Sequence, residues 1–326
     1  MQALLLESFG SPLRLAEVSR PAPGPGQVLV KVGASGVNPL DLKIMAGAAG
    51  HAQAVLPAIL GLDLAGTVEE TGAGVTQFQP GDQVYGLTGG VGGLPGSLAE
   101  FAAVDADLLA LKPRNLTMRE AAAIPLGFIT AWEGLVDHAK VHTGQQVLIH
   151  AGAGGVGQMA VQIARALGAE VFATVSPQKQ TVVEGYGATP IDYRSSSVEQ
   201  YVREHTGGQG FDVVYDTVGG KTLDNSFLAV KPYTGHVVSC LGWGTHSLAP
   251  LSFRSATYSG VFTLTPMLTG RGRPHHGEIL REATRLAEAG KLKPLLEPSE
   301  FTLATAHQAH ELAGSGQAGG KVVITI

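Results

Sequence analysis

Apolar positions along this chain follow two grammars. Up to about residue 110 they come in short runs broken by glycine and proline. Ala3 to Leu6, Val28 to Val32, Gly66 to Glu70, Gln83 to Leu87 and Leu98 to Val104 read as strands, with PAPGPG at 21–26 and VTQFQPGDQV at 75–84 as turns between them. From about residue 125 strands and helices alternate. Strands are predicted at 145–150, 170–175, 189–191, 211–216, 235–240 and 258–263, and helices at 155–167, 177–186, 197–205 and 220–230. Six strands in that order suit a doubly wound parallel sheet. Beyond them, 277–289 is amphipathic through Ile279, Ala283, Leu286 and Ala287, Gly290 follows it, and KVVITI closes the chain as a strand. The simplest arrangement is an α/β domain at 126–258 inserted into a β-rich domain made of 1–125 and 259–326.

One stretch of the second grammar carries chemistry. In QVLIHAGAGGVGQMAVQIARALG, the run Val147, Leu148, Ile149 enters a turn in which Gly152, Gly154 and Gly157 stand in GxGxxG spacing. Helically spaced Val156, Ala160, Ile163, Ala164 and Leu167 follow. The first glycine is expected to turn sharply, the second to let a pyrophosphate approach, and the third to let helix pack on strand. A dinucleotide's phosphates then rest at Gly154, Gly155, Val156 and Gly157, where free N–H groups and the helix dipole favour an anion. The inserted domain is therefore expected to be a Rossmann fold.

Composition narrows the partners. A formal net charge of −5 gives no support for nucleic acid or an anionic membrane, and no stretch reaches the length of a membrane helix. The N-terminal MQALLLESFG has no basic region before its short apolar run, so a cytoplasmic location is expected. The single cysteine, Cys240, rules out an intrachain disulfide and a cysteine-based zinc lobe.

The second strand of the α/β domain selects the cofactor. A site for NAD usually holds the ribose 2′-OH with a carboxylate there. VFATVSPQKQ offers Ser176 and Lys179 instead, and Tyr193 in IDYR can close the same pocket. A hydroxyl and an ammonium suit a 2′-phosphate, so NADP(H) is expected.

AAAIPLGFITAWEGLVDHAKVHTGQQVLIHAGAGGVGQMAVQIARALGA resembles the zinc-independent quinone oxidoreductase branch of the medium-chain dehydrogenase/reductase superfamily, the group that includes zeta-crystallin. The likeness extends to GVNPLDLKIMAG at 36–47, PAILGLDLAGTVEETGAGVTQFQPGDQVYGL at 57–87, FDVVYDTVGG at 211–220 and the terminal GKVVITI. It implies that the β-rich substrate domain is GroES-like. Where zinc alcohol dehydrogenases of the superfamily place Cys, His and Cys on the catalytic metal, this chain has Asn38, Leu62 and Leu126, so no metal is expected. The four-cysteine lobe is replaced by LTGGVGGLPGSLAEF. Without a Lewis acid, alcohol oxidation loses its main aid. The reaction implied is hydride transfer from NADPH to a quinone or an α,β-unsaturated carbonyl.

The resemblance also assigns residues. Asn38 and Asp41 match an Asn-x-x-Asp beside the nicotinamide, although an Asn-Pro turn can simply shape a loop. Thr130, Leu241, Gly242, Phe262 and Thr263 match segments at the nicotinamide end. Ser176, Lys179 and Tyr193 match the 2′-phosphate pocket, and Lys321 aligns with a basic residue on the pyrophosphate. Tyrosines of bacterial relatives are replaced by Lys43 and Ala49, which thins the platform for a quinone and favours an enone. Lys43, His51 or solvent is left as proton source. His275 and His276 are adjacent on a helix and do not share a face, which argues against a metal pair. Relatives are commonly dimers or tetramers. A zinc-type alcohol dehydrogenase and a non-catalytic NADPH-binding protein are the competing readings.

Overall fold

Strands dominate both ends of the chain and alternate with helices in the middle, in a computed structural model that describes residues 1–326. In chain order they are β1 (Gln2–Leu6), β2 (Arg14–Glu17), β3 (Gln27–Gly36), β4 (Ala58–Ile59), β5 (Asp63–Thr71), β6 (Gln83–Leu87), β7 (Phe101–Asp105) and β8 (Leu109–Leu111). The middle carries β9 (Gln146–Ile149), β10 (Glu170–Val175), β11 (Thr189–Asp192), β12 (Val213–Asp216), β13 (His236–Ser239) and β14 (Thr257–Gly260). β15 (Phe301–Thr302) and β16 (Val323–Thr325) complete the set. The chain divides into two units, Met1–Leu126 with Leu264–Ile326, and Gly127–Thr263.

The middle unit is a six-stranded sheet in the order β11-β10-β9-β12-β13-β14, parallel throughout. Both faces of its central strands are covered, which is why VVYD of β12 reads as an unbroken buried run rather than an alternating one. Phe172, Tyr201, Phe211, Phe227 and Val237 form its core with Leu148 and Val214. Strand order reverses between β9 and β12, and a doubly wound sheet binds ligands outside the carboxyl ends of the strands at that point. At this crossing the Thr217 hydroxyl donates to the carbonyl of His150 at 2.6 Å.

The other unit is β-rich. Its larger sheet runs β15-β16-β3-β5-β6-β8, with β7 also paired to β3, and β1 joins β2 and β4 in a smaller one. Alternating Val28, Val30 and Val32 of β3 pack on Leu64, Val68, Val84 and Val104. The ends of the chain meet here: β16 pairs antiparallel with β3, with Val323 opposite Gly36, and β3 pairs on its other edge with β5, Gly36 opposite Asp63.

Four short strands, β2, β4, β8 and β15, were not visible in the apolar pattern. β2 is mostly exposed and β4 is two residues long, so neither leaves an apolar period. The strand expected at 258–263 ends at Gly260, so Phe262 and Thr263 lie in the loop beyond β14. The helix expected from residue 277 starts at Arg273, with Pro274 in its first turn and left-handed Gly272 before it. His276 is buried in that helix while its neighbour His275 faces Glu278 at 3.1 Å.

Gly36 is the tightest point of the β3 edge. A Cβ there would stand 2.3 Å from the Ala122 carbonyl oxygen and 3.0 Å from the Asp63 side chain. Gly36→Ala is expected to lower unfolding stability by about 1–3 kcal/mol through overpacking. Denaturant unfolding measures this, and an unchanged midpoint would show that the edge relaxes freely.

Candidate functional site

In the middle unit the glycine turn joins β9 to the helix Gly155–Ala166. The left-handed residue of the turn is Ala151, at φ 53°, so the sharp bend expected of Gly152 falls one residue earlier. Gly152 is required for space, because a Cβ there would lie 2.6 Å from that of Ala173 on β10. At Gly157 a Cβ would sit 2.0 Å from the Ala151 carbonyl oxygen, whereas around Gly155 the space is open. Gly154 caps the helix without any side-chain bond to its first turn. The result is a bare helix N-terminus, lined by backbone, that fits a pyrophosphate. Val156 is half-buried in the same turn.

Two further clusters lie in this unit. Parallel register sets Val175 beside Asp192, so Ser176 and Tyr193 leave neighbouring strand ends. Lys179 closes the short turn after β10, its N–H bonded to the Ser176 carbonyl at 2.9 Å. The Arg194 guanidinium lies 5.8 Å from the Tyr193 ring centre. The nearest carboxylate, Asp192, is engaged by its own loop: it accepts the Arg194 N–H at 3.0 Å and the Ser195 hydroxyl at 2.8 Å. In the second cluster the Thr263 hydroxyl is 2.7 Å from Glu133 Oε2 and 3.1 Å from Thr130 Oγ1, and both threonines are buried. The Tyr215 hydroxyl fixes the Thr130 carbonyl at 2.7 Å. The helix here runs on as a wide π-type turn, Glu133–His138, a deviation that often marks a functional site. Leu241 and Gly242 follow β13, and Phe262 meets Trp243 edge-on at 6.2 Å.

The β-rich unit contains a buried polar centre. Asn38 opens the helix Pro39–Met45, where its N–H donates to Asp41 Oδ2 at 2.8 Å. Asp41 also accepts the Gly61 N–H at 3.3 Å. Burial pushes its carboxyl up to about 7, against those two N–H groups and the charge of Lys321. The Asn38 amide donates to Asp63 Oδ2 at 2.9 Å, and Asp63 Oδ1 accepts the Leu126 N–H at 2.8 Å. Lys321 completes the centre, its ammonium donating to Asp63 Oδ2 at 3.0 Å and to Asn38 Oδ1. Lys321 is therefore an almost buried member of an ion pair, with its side chain 8% exposed, and not a surface lysine. Lys43 is exposed on the helix after Asn38, and Ala49 is buried. The His51 imidazole is held below its usual range, first by burial and then by the charge of Lys43.

Sequence reading missed Asp63, Glu133 and Tyr215. Asp63 had a signal, a lone carboxylate inside the apolar run LGLDLAG, but only strand register shows what it meets.

The residues at the sequence-matched zinc positions do not fit a metal. Both atoms of the Asn38 amide are bound to Lys321 and Asp63, and Leu62 and Leu126 present hydrocarbon. No group of three His, Cys, Asp or Glu side chains is arranged to hold an ion.

Residues 24–114 match the family model described as the alcohol dehydrogenase GroES-like domain, and 186–324 the model described as zinc-binding dehydrogenase. The chain is 35% identical over 311 residues to 2-methylene-furan-3-one reductase of Solanum lycopersicum, covering 91% of this chain and 71% of that protein. It belongs to the medium-chain dehydrogenase/reductase superfamily. A spectinabilin polyketide synthase system protein of Streptomyces orinoci is 35% identical over 302 residues. The match takes in 93% of this chain but only 13% of the synthase's length. An alcohol dehydrogenase superfamily protein from Novosphingobium aromaticivorans has the same fold, with TM-score 0.98 and 58% identity over 100% of this chain and 99% of that one. A mycobacterial quinone oxidoreductase superposes with TM-score 0.86 at 29% identity, over the full length of both chains. Family and fold are those of nicotinamide-dependent oxidoreductases. No helix is long and apolar enough to cross a membrane.

His150, beside the glycine turn, supplies a pH test of the nucleotide unit. Its Nδ1 lies 3.1 Å from Thr174 Oγ1 and its Nε2 is buried without a partner. Burial lowers its pKa from 6.5 to about 4, with Asp216 pulling the other way. A base that binds its proton more readily unfolded gives its full stability above pH 6.5 and loses it as pH falls toward 4. The thermal midpoint is expected to drop across that window and His150→Gln to flatten the drop. An equal slope in both proteins would remove His150 as the cause.

Proposed function

We propose that this protein is a zinc-independent, NADPH-dependent reductase of conjugated electrophiles, enones first and quinones second. The observation that carries this reading is the set of groups at the zinc positions, where an amide tied on both sides and two leucines leave no metal ligand. Without a Lewis acid, alcohol oxidation lacks its main activation, while an electrophile already conjugated to a carbonyl needs only a well-placed hydride. The names of two relatives, a 2-methylene-furan-3-one reductase and a quinone oxidoreductase, support this class. Small-molecule electrophiles are thus the partners proposed.

The bound cofactor would supply the hydride, with its pyrophosphate on the first turn from Gly154 to Gly157. Ser176, Lys179 and Tyr193 would hold the 2′-phosphate, and Arg194 adds a second positive charge beside Tyr193. Asp192, the carboxylate beside Tyr193, is engaged by its own loop. Thr130 and Thr263, tied to Glu133, would serve the nicotinamide end with Leu241, Gly242 and Phe262. Asn38 and Asp41 would serve the acceptor side, with Lys43 exposed nearby. A homodimer or homotetramer is proposed as well: β14 is a free sheet edge, and Tyr233 and Phe253 beside it are 84% and 87% exposed.

The test is loss of NADPH absorbance against a panel of enones and quinones, repeated with NADH and with Lys179→Ala. Turnover with at least one enone is expected. Lys179→Ala should weaken NADPH about 10-fold or more, the scale of one bond to a charged group, and NADH less than about 2-fold. No turnover across the panel contradicts the reductase reading. Equal effects on both cofactors contradict the phosphate pocket.

A further inference from the structure

In the nucleotide unit, the loop after β13 is tied to the helix Lys221–Ala229 through His246. The His246 Nδ1 is 2.8 Å from Asp224 Oδ1 on that helix, and its Nε2 is 3.1 Å from the Trp243 carbonyl oxygen. A carboxylate and a carbonyl only accept, so both ring nitrogens have to donate, and only the imidazolium has two N–H groups. A neutral ring would give up one of the two bonds. Phe227 of the same helix meets the imidazole edge-on at 6.5 Å. The charged groups that reach His246 are Asp224 and, more weakly, Asp216 at the end of β12. The bonds to Asp224 and then to the Trp243 carbonyl raise its pKa above the usual 6.5. Tyr258 of β14 also packs on the loop, since a Cβ at Gly242 would stand 2.2 Å from its hydroxyl. Burial raises that hydroxyl above its usual 10, so it stays neutral. β13 and β9 both run parallel to β12, so this loop and the glycine turn leave the same edge of the sheet, where a doubly wound fold binds its ligand. Trp243 meets Phe262 edge-on at 6.2 Å there, with the two residues 48% and 40% exposed.

We propose that His246 is a pH-sensitive positioning residue: as imidazolium it latches the loop 241–248, with Trp243, in the form that holds the nicotinamide end of a dinucleotide, and on losing a proton it lets the loop go. This rests on the reading above that Leu241, Gly242 and Phe262 serve that end. A base that binds its proton more tightly in the folded protein gives its full stabilisation below 6.5 and loses it as pH rises through its higher folded value. The latch is therefore closed on the acid side and opens with alkali. Asp224 anchors it to the helix, and the Trp243 carbonyl carries the anchor into the loop.

The experiment uses the full chain. The sequence has two tryptophans, so Trp132→Phe leaves Trp243 as the sole indole emitter. Its emission is followed without cofactor from about pH 6 to about pH 9, the range in which a histidine with a raised pKa titrates. A single sigmoidal shift toward the emission of a solvated indole is expected, with its midpoint above 6.5. Asp224→Asn should lower the midpoint, and His246→Gln should abolish the shift. No shift, or the same shift in His246→Gln, overturns the latch. NADPH affinity is then titrated by fluorescence at both ends of the range, in the native chain and in His246→Gln. Toward alkali it should fall about 3- to 5-fold more in the native chain, the scale of one partly exposed charged pair. Comparing the two proteins cancels the titration of the cofactor's own phosphates. An equal pH dependence in both overturns the link between the latch and the cofactor, and the proposal with it. No NADPH binding at any pH would instead sink the dinucleotide reading itself, and the emission titration would then judge the latch alone.

Discussion

One buried ion pair spans the β-rich unit. Lys321 lies just before β16, the last strand of the chain, Asp63 starts β5, and Asn38, just after β3, lies between them. The pair ties the C-terminal tail to the N-terminal half of the same sheet. Removing either partner would leave an uncompensated charge in a site with almost no solvent. The arrangement also binds the Asn38 amide through both its oxygen and its nitrogen, so the residue aligned with a metal ligand holds an ammonium in place.

The nucleotide unit obeys a different constraint, the close approach of backbones. Gly152 and Gly157 are there because Ala173 and the Ala151 carbonyl leave no room for a Cβ, while Gly154 and Gly155 leave a helix N-terminus bare. The two chemistries are divided between the units. Backbone N–H groups suited to phosphate lie in one, and a buried carboxylate, amide and ammonium lie in the other.

Much of this was legible in the sequence where a period or a spacing carried it. The strand, glycine turn and helix at 146–166 have both, and strand alternation in β3 and β5 was strong enough to place them. Short or exposed strands such as Arg14–Glu17 have neither. The polar centre was half legible. Asn38 and Asp41 lie three apart on one turn and read as a motif, but Asp63 and Lys321 are 258 residues apart and meet only through strand register. Glu133 was hidden for the same reason, since its contact with Thr263 joins the start of the unit to its end. Local pattern reports which backbone groups are bare; it does not report which charges the sheet brings face to face.

The most direct measurement of the central claim follows the hydrogen itself. NADPH deuterated at C4 of the nicotinamide is incubated with the protein and an enone, and the product is read by mass spectrometry and NMR. The account predicts one deuterium at the β-carbon of the saturated ketone and a solvent proton at the α-carbon. A product free of deuterium, or deuterium on the carbonyl carbon of an allylic alcohol, would contradict it.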